Sequence, residues 1–320
     1  MNQKQKHLEK LRAVIRLKHF SLSTERTYLL WVSKFWDHAR TLPAEMPREK
    51  KVESFLTTMA RRGCAASTQN QAFNAIVFFF KSALEQPLGD IRALRAKRPA
   101  VHRIAPTRQQ TIELLNAVRD QGGYPTRLIA RLLYGCGLRV CEPLNLRIKD
   151  VDLENSRLLL WETKGGKCRT VAIPCSLADD IRAQIKVARA VWERDIRARL
   201  PVAMPGLLAR KYPSRAMAWT WAWLFPAHAP CRDPRTGTLV RWRCHEANVQ
   251  RAVKEAAAKV GLAGLITPHN LRHAYGTHVA DAGANMRDLQ SALGHKSLET
   301  TMGYVHSNGL RVLSPLDAAV

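Results

Sequence analysis

A group of basic and titratable residues near the end of the chain has the composition needed to cleave a phosphodiester. His269 and Arg272, in the stretch PHNLRHAYGTHVADAG, are three positions apart, so a helix places them on one face. A guanidinium is permanently charged and binds phosphate oxygens in pairs, and a histidine moves protons near neutral pH. Tyr304, in the stretch LGHKSLETTMGYVH, becomes a nucleophile only where cationic neighbours stabilise its phenolate. These residue types together predict a phosphoryl-transfer site.

Two other stretches supply a second guanidinium and an amine. Arg139 follows two glycines in GCGLRVCEPLNL, which predicts a sharp turn, and Glu142 lies one helical turn later, where it can orient the arginine. The stretch SRLLLWETKGGKCRTVAIP is typical of two strands joined in a β-hairpin. Lys164 lies at the predicted hairpin tip, from which an ammonium can reach into a groove, and Lys167 is the competing choice.

The elements that must position these residues are mostly helical. Apolar residues recur at helical spacing through residues 1–97, which predicts a small helical domain. Its last helix begins with polar, uncharged residues that suit contacts in a DNA groove, or that simply form a solvated helix start with Ser67 as the cap. These residues are Ser67, Thr68, Gln69 and Asn70.

A basic, proline-containing segment separates this domain from the rest of the chain. Residues 91–106 hold no acidic side chain, and we interpret 98–106 as a linker that crosses a phosphate backbone through Arg98 and Arg103. Thr107 and Gln110 then resemble a capping box that opens the second domain, residues 107–320.

The net charge points to a polyanionic partner. The chain has 51 Lys and Arg against 26 Asp and Glu, a formal charge of +25, and an isoelectric point near 10.4. Such an excess opposes compactness through self-repulsion, and nucleic acid is the first partner that explains it, an acidic membrane surface the second. The seven cysteines form no Cys-x-x-Cys pair, and no long apolar run or signal peptide is present, which predicts a reduced, soluble, cytoplasmic protein.

Four stretches, taken in chain order, resemble the successive signature blocks of the tyrosine recombinases. They are GLRVCEPLNLRIKDVDL, TKGGKCRTVAIP, PHNLRHAYGTHVADAG and LGHKSLETTMGYVH, which together span residues 137–306. The helical first third resembles that family's core-binding, SAM-like domain. The resemblance implies an α+β, mostly helical fold, with a helical N-terminal domain and a catalytic domain that carries a small antiparallel β-sheet.

The resemblance also implies a role for each chemical group. Tyr304 attacks the scissile phosphate and forms a 3′-phosphotyrosine link, and Lys164 protonates the departing 5′-oxygen. The remaining groups support the phosphate, the tyrosine proton or the architecture of the site. They are Arg139 and Arg272 on the phosphate oxygens, His269 on the tyrosine proton, His295 as a phosphate support, and Glu142 as a structural support. No metal or other cofactor is implied, since the basic side chains supply the positive charge.

The length of one segment narrows the resemblance to the integron integrases. Lys164 and His269 are 105 residues apart, and the Trp- and Pro-rich segment at about 200–245 resembles the insertion of that subfamily. The tail, residues 305–320, also resembles theirs. Integron integrases recombine gene-cassette sites as folded single strands and recognise bases that protrude from the hairpin stem.

Aromatic and planar cationic side chains of the insertion are candidates for holding such bases. Stacking on an aromatic ring is worth roughly 1–3 kcal/mol per base and requires no sequence. The candidates are Trp219, Pro234, Trp242 and Arg243, and packing is the alternative for both tryptophans. The subfamily commonly has a His-His pair where this chain has Trp242 and Arg243. We expect Trp221 and Trp223 to pack within the insertion.

Two neighbouring histidines raise the question of a metal site. His273 and His278 lie close to His269 in the sequence, but the HExxH pattern fails because Asn270 stands where a glutamate is needed. We therefore expect both histidines to be structural or solvent-facing.

These observations predict a bacterial, nucleoid-associated DNA strand transferase of the integron integrase type. It would cleave folded single-stranded cassette sites and a double-stranded platform site, and would act as a tetramer on DNA, without a membrane. One alternative is an ordinary double-strand tyrosine recombinase of the phage or chromosome-dimer-resolving type. Another is a non-catalytic DNA-binding protein of the same fold.

Overall fold

The computed structural model describes residues 2–91, 105–161, 168–206, 208–295, 297, 299 and 301. The chain forms two compact units, Met1–His102 and Arg103–Val320. Helices dominate both units, and the second adds one three-stranded and one two-stranded antiparallel sheet. The predicted α+β, mostly helical class is therefore confirmed.

The described residues of the first unit form a bundle of four helices. They are α1 (Gln3–Leu17), α2 (Leu22–Ala39), α3 (Arg48–Arg61) and α4 (Ala66–Phe78), and a π-helical turn, Phe79–Ala83, extends the last. Their apolar faces form one core, as the helical spacing predicts. Trp31 also lies in this core, where its indole nitrogen donates to Gln71 Oε1 at 3.1 Å.

The start of α4 differs from one of the two expectations for it. The helix begins at Ala66 with Ala65 at the cap position and no side-chain cap, so Ser67 lies inside the first turn and the capping interpretation is wrong. Ser67 is exposed, whereas Thr68, Gln69 and Asn70 are half-buried. Gln69 Nε2 donates to the carbonyl of Cys64 at 2.8 Å, so that amide secures the preceding loop.

The second unit opens with the predicted capping box. Thr107 Oγ1 accepts from the amide of Gln110, and Gln110 Oε1 accepts from the amide of Thr107. The helices that follow are α5 (Arg108–Ala117), α6 (Thr126–Gly135), α7 (Cys141–Leu144), α8 (Ala178–Arg197), α9 (Leu208–Lys211), α10 (Glu246–Lys259), α11 (Pro268–Asp281) and α12 (Met286–Leu293).

The two strands of the predicted hairpin pair as expected, and three further short strands are present among the described residues. The strands β1 (Val151–Asp152), β2 (Arg157–Trp161) and β3 (Cys168–Ala172) form an antiparallel sheet in that order, with Trp161 opposite Cys168. The predicted hairpin tip with Lys164 and Lys167 lies outside the described residues. The strands β4 (Cys231–Arg232) and β5 (Leu239–Val240) form a second, two-stranded sheet.

Buried charges attach the segment at about 200–245 to the rest of its unit. Arg241, near the end of the segment, forms a bidentate ion pair with Asp195 of α8 at 2.6 and 2.7 Å, and both side chains are 4% exposed. Arg147 places its guanidinium 3.7 Å from the ring centre of Trp223 and donates to the carbonyl of Ala203. Because a buried charge is costly unless it is paired, these contacts anchor the segment to the rest of its unit.

Across the part of the chain that the structure describes, no helix is both long enough and apolar enough to cross a membrane. Within the same residues, no group of three or more His, Cys, Asp and Glu side chains is arranged to hold a metal ion.

Candidate active site

A glycine turn between α6 and α7 presents Arg139. Gly137 adopts a φ of +62°, and a Cβ at this position would lie 2.4 Å from Cδ1 of Tyr275 on α11. Both the backbone conformation and the close approach therefore require glycine. The turn brings the backbone of residues 137–139 directly against α11, which carries Arg272.

Glu142 holds Arg139 as the sequence predicts. Its Oε2 accepts from the Arg139 backbone amide at 2.7 Å, and its Oε1 accepts from Arg139 Nη1 at 2.8 Å. The same carboxylate accepts from Arg169 Nη2 at 2.8 Å and lies 3.7 Å from Arg272 Nη1. Burial acts to raise the pKa of Glu142, but the hydrogen bond and charge of Arg169 and the amide of Arg139 outweigh it and lower that pKa. The carboxylate is therefore ionised and shared by three guanidinium groups.

Arg272 lies beneath the surface of the site. Its side chain is 1% exposed, and Nη1 donates to the carbonyl of Gly137 at 2.8 Å. Its Nη2 contacts the carbonyl of Leu293 and lies 3.2 Å from His295 Nε2. A capping box at Thr267 and Asn270, with Pro268 at the first helical position, starts α11 and sets the register of His269 and Arg272. This cap explains Asn270, which the sequence analysis considered only as a mismatch to a metal motif.

His295 enters the site through the end of α12. Gly294 closes this helix in the left-handed conformation, with a φ of +63°. Because Nε2 of His295 faces the Arg272 donor, Nε2 is the acceptor nitrogen and Nδ1 donates to Thr301 Oγ1 at 3.0 Å. Burial, with the charges of Arg272, Arg139 and Arg169, lowers the pKa of His295 to about 4. The imidazole is therefore neutral near pH 7.

This lowered pKa makes the stability of the fold depend on pH. Below its ordinary pKa of 6.5, His295 takes up a proton in the unfolded chain, whereas the folded protein resists protonation down to about pH 4. The unfolded chain thus binds more protons in this window, and the free energy of unfolding falls as the pH drops from about 6.5 to about 4. We expect a His295→Gln variant to lose this contribution in urea titrations at several pH values. An NMR titration midpoint of His295 at or above 6.5 would contradict the assignment.

Other predicted site residues lie around this centre or outside the described residues. His269 is exposed in the first turn of α11 and is close enough to help lower the pKa of His295. Tyr304 and Lys164 lie outside the described residues, as do Arg98 and Arg103. His278 is structural, as expected: it is buried, and its ring contacts Tyr134 Oη and the carbonyl of Pro106, each at 3.0 Å.

The base-contact candidates occupy different environments within the insertion. Trp219 is half-buried, and its ring centre lies 5.6 Å from that of Trp192. The Arg189 guanidinium lies 5.0 Å from the ring centre of Trp219 and 4.6 Å from that of Trp192. Pro234 is exposed on the turn between β4 and β5. Trp242 packs against the apolar cluster of the insertion, which includes the buried Trp223. Arg243 is half-buried, and its Nη1 donates to the carbonyl of Cys244 at 3.0 Å. Trp221 also packs against this cluster, as predicted.

One residue at the centre has no role in the sequence analysis. Arg169 of β3 contacts both Glu142 and the end of α12, and its side chain is 10% exposed. The sequence offered only a weak signal for Arg169, because it is a basic residue within a predicted strand. Strand alternation indicates the face of the sheet on which such a side chain lies, but not the residue that it contacts. With Arg139 and Arg272 it gives three guanidinium charges around one carboxylate, a net positive environment suited to a phosphodiester.

The fold and this cationic site have the features expected of a phosphoryl-transfer protein. The Phage integrase family matches residues 107–311, and the family's N-terminal SAM-like domain matches residues 7–90. The chain therefore belongs to the phage integrase family, the tyrosine recombinases.

Individual relatives and solved structures agree with this assignment. An "Integrase/recombinase" of Escherichia coli is 37% identical over 98% of this chain and 94% of its own length. The "Tyrosine recombinase XerA" of Pyrococcus horikoshii is 29% identical over 93% of this chain and 87% of its own length. Among solved structures, a lambda integrase dimer bound to a COC′ core site has a TM-score of 0.61 and 18% identity. It aligns over 95% of this chain and 96% of its own length, and at this identity it shows a shared fold.

Proposed function

We propose that this chain is a site-specific DNA recombinase that cleaves and rejoins strands through a 3′-phosphotyrosine intermediate. The observation that carries the proposal is the convergence of Arg139, Arg272 and His295. These residues come from three separate segments and meet around the carbonyls of Leu293 and Gly294. A net charge of +25 favours a DNA backbone as the partner.

The proposed roles follow from the chemistry of each group. Tyr304 attacks the phosphorus while Arg139 and Arg272 stabilise the negative charge on the non-bridging oxygens. The neutral His295 accepts from Arg272 through Nε2 and donates to Thr301 through Nδ1, so it supports an arginine that binds the phosphate, and Glu142 fixes the arginines. His269, exposed at the start of α11, accepts the tyrosine proton, and Lys164 protonates the leaving 5′-oxygen. No step needs a metal or another cofactor in this scheme.

The burial of Arg272 implies a local exchange of hydrogen-bond acceptors. Arg139 Nη2 donates to the carbonyl of Gly294 at 3.3 Å, and Arg272 Nη2 contacts that of Leu293. We propose that phosphate oxygens replace these carbonyls when DNA binds, since both are acceptors of the same donors.

A nicked suicide substrate, which releases a short strand after cleavage and cannot rejoin it, tests this function. Wild-type protein should accumulate a covalent adduct that survives denaturing gel electrophoresis. If no adduct forms on any candidate site that the protein binds, the non-catalytic DNA-binding alternative replaces the enzyme proposal.

We further propose that the recombinase is of the integron integrase type. The insertion at about 200–245 is held firmly by Asp195 and Arg147, which gives a rigid support for Trp219, Pro234, Trp242 and Arg243. Protruding bases of a folded cassette site would stack on this support, and a duplex platform site would bind without it. An ordinary double-strand recombinase remains the competing function, and the XerA relative is compatible with it.

Replacing Trp219 with alanine separates these two functions. One lost stack should weaken binding to folded single-stranded sites about 5- to 150-fold, corresponding to roughly 1–3 kcal/mol. Duplex binding should not change. Gel-shift titrations with hairpin and duplex forms of one site measure both effects. The matched control is Trp221→Ala, which removes a packed indole and should affect both substrates equally. Equal losses for Trp219→Ala would favour the double-strand alternative.

We also propose roles for the two domains, the linker and the C-terminal tail in binding DNA and in assembly. Residues 1–97 would form the core-binding domain and residues 107–320 the catalytic domain, with 98–106 crossing the backbone between them. Four protomers would form one synapse, in which residues 305–320 dock onto a neighbour. Contacts to DNA would include Arg98, Arg103 and the polar start of α4, where Ser67 is the exposed member of the group formed with Thr68, Gln69 and Asn70.

A further inference from the structure

Arg169 connects two parts of the site that the phosphate-binding arginines depend on. It lies in β3, directly after the exposed Cys168, and its own side chain points away from solvent into the site. Its Nη2 donates to Glu142 at 2.8 Å, and its Nε donates to the carbonyl of Ala292 at 3.1 Å. A single planar group thus joins α7 to the C-terminal end of α12.

The contact with Glu142 determines how Arg139 is held. Oε2 of Glu142 accepts from both Arg169 Nη2 and the Arg139 backbone amide, and Oε1 accepts from the Arg139 guanidinium. A carboxylate with two such partners has little freedom to rotate. Removing Arg169 would free one side of Glu142, and the carboxylate would keep only Arg139 and the more distant Arg272 as basic partners.

The hydrogen bond from Arg169 to the Ala292 carbonyl is one of three arginine–carbonyl contacts at the end of α12. Three consecutive carbonyls at the end of α12, those of Ala292, Leu293 and Gly294, accept in turn from Arg169, Arg272 and Arg139. The C-terminal end of a helix carries partial negative charge, so it attracts guanidinium groups. Arg169 holds the innermost of the three carbonyls and has a second partner in Glu142.

We propose that Arg169 is a positioning residue for strand cleavage, in an inference that rests on the proposed function. When Arg139 and Arg272 exchange the carbonyls of Gly294 and Leu293 for phosphate oxygens, Arg169 keeps Ala292 and Glu142 in place. It therefore maintains the spacing between the two phosphate-binding arginines and His295 without contacting the phosphate. A lysine cannot do this, because its single ammonium does not span two acceptors as a planar fork does.

Single-turnover cleavage of the suicide substrate by Arg169→Met and Arg169→Lys tests the proposal. Both variants should cleave about 10- to 100-fold more slowly than wild type, which is the usual cost of losing a group that orients catalytic side chains. The dissociation constant for DNA should change by less than about threefold, because the Arg169 side chain is only 10% exposed and has no contact with the phosphate in this proposal. The matched control is Arg157→Met in the adjacent strand β2, whose ion pair with Asp152 lies outside the site and whose cleavage rate should equal that of wild type.

A double-mutant cycle with Glu142→Gln distinguishes positioning from a merely structural role. If Arg169 acts through Glu142, adding Arg169→Met to Glu142→Gln should slow cleavage by less than about threefold further. Full additivity of the two losses would overturn the proposal, as would wild-type cleavage by Arg169→Met. Should the methionine variant fail to fold, the lysine variant in the same cycle decides the question. An absent adduct in the wild-type protein would instead contradict the proposed function itself.

Discussion

Tyr304→Phe should abolish the covalent protein–DNA adduct while leaving DNA binding unchanged. The substitution removes only the phenolic oxygen, so the ring keeps its size and the cationic site keeps its charges. No other group in the proposed mechanism can supply that nucleophile, and we expect adduct formation to fall by at least about 10⁴-fold. A nicked suicide substrate, resolved on a denaturing gel, measures the adduct, and a gel shift on the intact site measures binding.

Tyr275→Phe provides the matched control for this experiment. Tyr275 lies beside Gly137 at the centre of the site, so it is the tyrosine among the described residues that a structural argument must exclude as the nucleophile. Burial raises the pKa of Tyr275, which disfavours the phenolate that attack requires. Tyr275→Phe should therefore form the adduct like wild type. An adduct with Tyr304→Phe, or its loss with Tyr275→Phe, would remove Tyr304 from its proposed role.

Short-range features of this fold follow directly from the sequence. The apolar spacing of residues 1–97 predicts the helices and most of their core, and the Thr107–Gln110 capping box is present as predicted. Arg139 and Glu142 are also paired as predicted, because three residues separate them and the turn between them is short. In each case the partners lie within one helical turn, where spacing alone fixes the geometry.

Contacts between distant segments are what the sequence could not supply. Arg169 and Glu142 are close only because β3 packs near the α6–α7 turn, and strand alternation gives a face without a partner. The burial of Arg272 and its contacts with two backbone carbonyls depend in the same way on the packing of α12 and of the α6–α7 turn against α11. A serine at position 67 is compatible with either a helix cap or a DNA contact, and only the observed start of α4 at Ala66 excludes the cap.

Arg272→Lys should reduce strand cleavage about 10²- to 10³-fold, the usual cost of losing one donor to a developing oxyanion. The arginine reaches the carbonyls of Gly137 and Leu293 and the ring of His295 at the same time, and its Nη1 also faces Glu142. A lysine keeps the charge but offers one compact ammonium, which cannot serve these positions together. Single-turnover cleavage rates measure the loss, and Arg182→Lys, in an exposed ion pair with Asp179, is the control that should cleave normally.

Measuring the pKa of His295 in the Arg272 variants distinguishes the effect of the arginine's charge from the effect of its shape. Burial contributes most to the lowered pKa of His295, and the charge of Arg272 contributes most among the charged groups. Arg272→Met removes that charge and should raise the pKa of His295 from about 4 towards its ordinary 6.5, whereas Arg272→Lys should leave it low. Slow cleavage by both variants, with a raised pKa only in the methionine variant, would identify the shape of the guanidinium as the requirement. If Arg272→Lys cleaves within about threefold of wild type, positive charge alone is sufficient, and the proposed requirement for a guanidinium at position 272 is wrong.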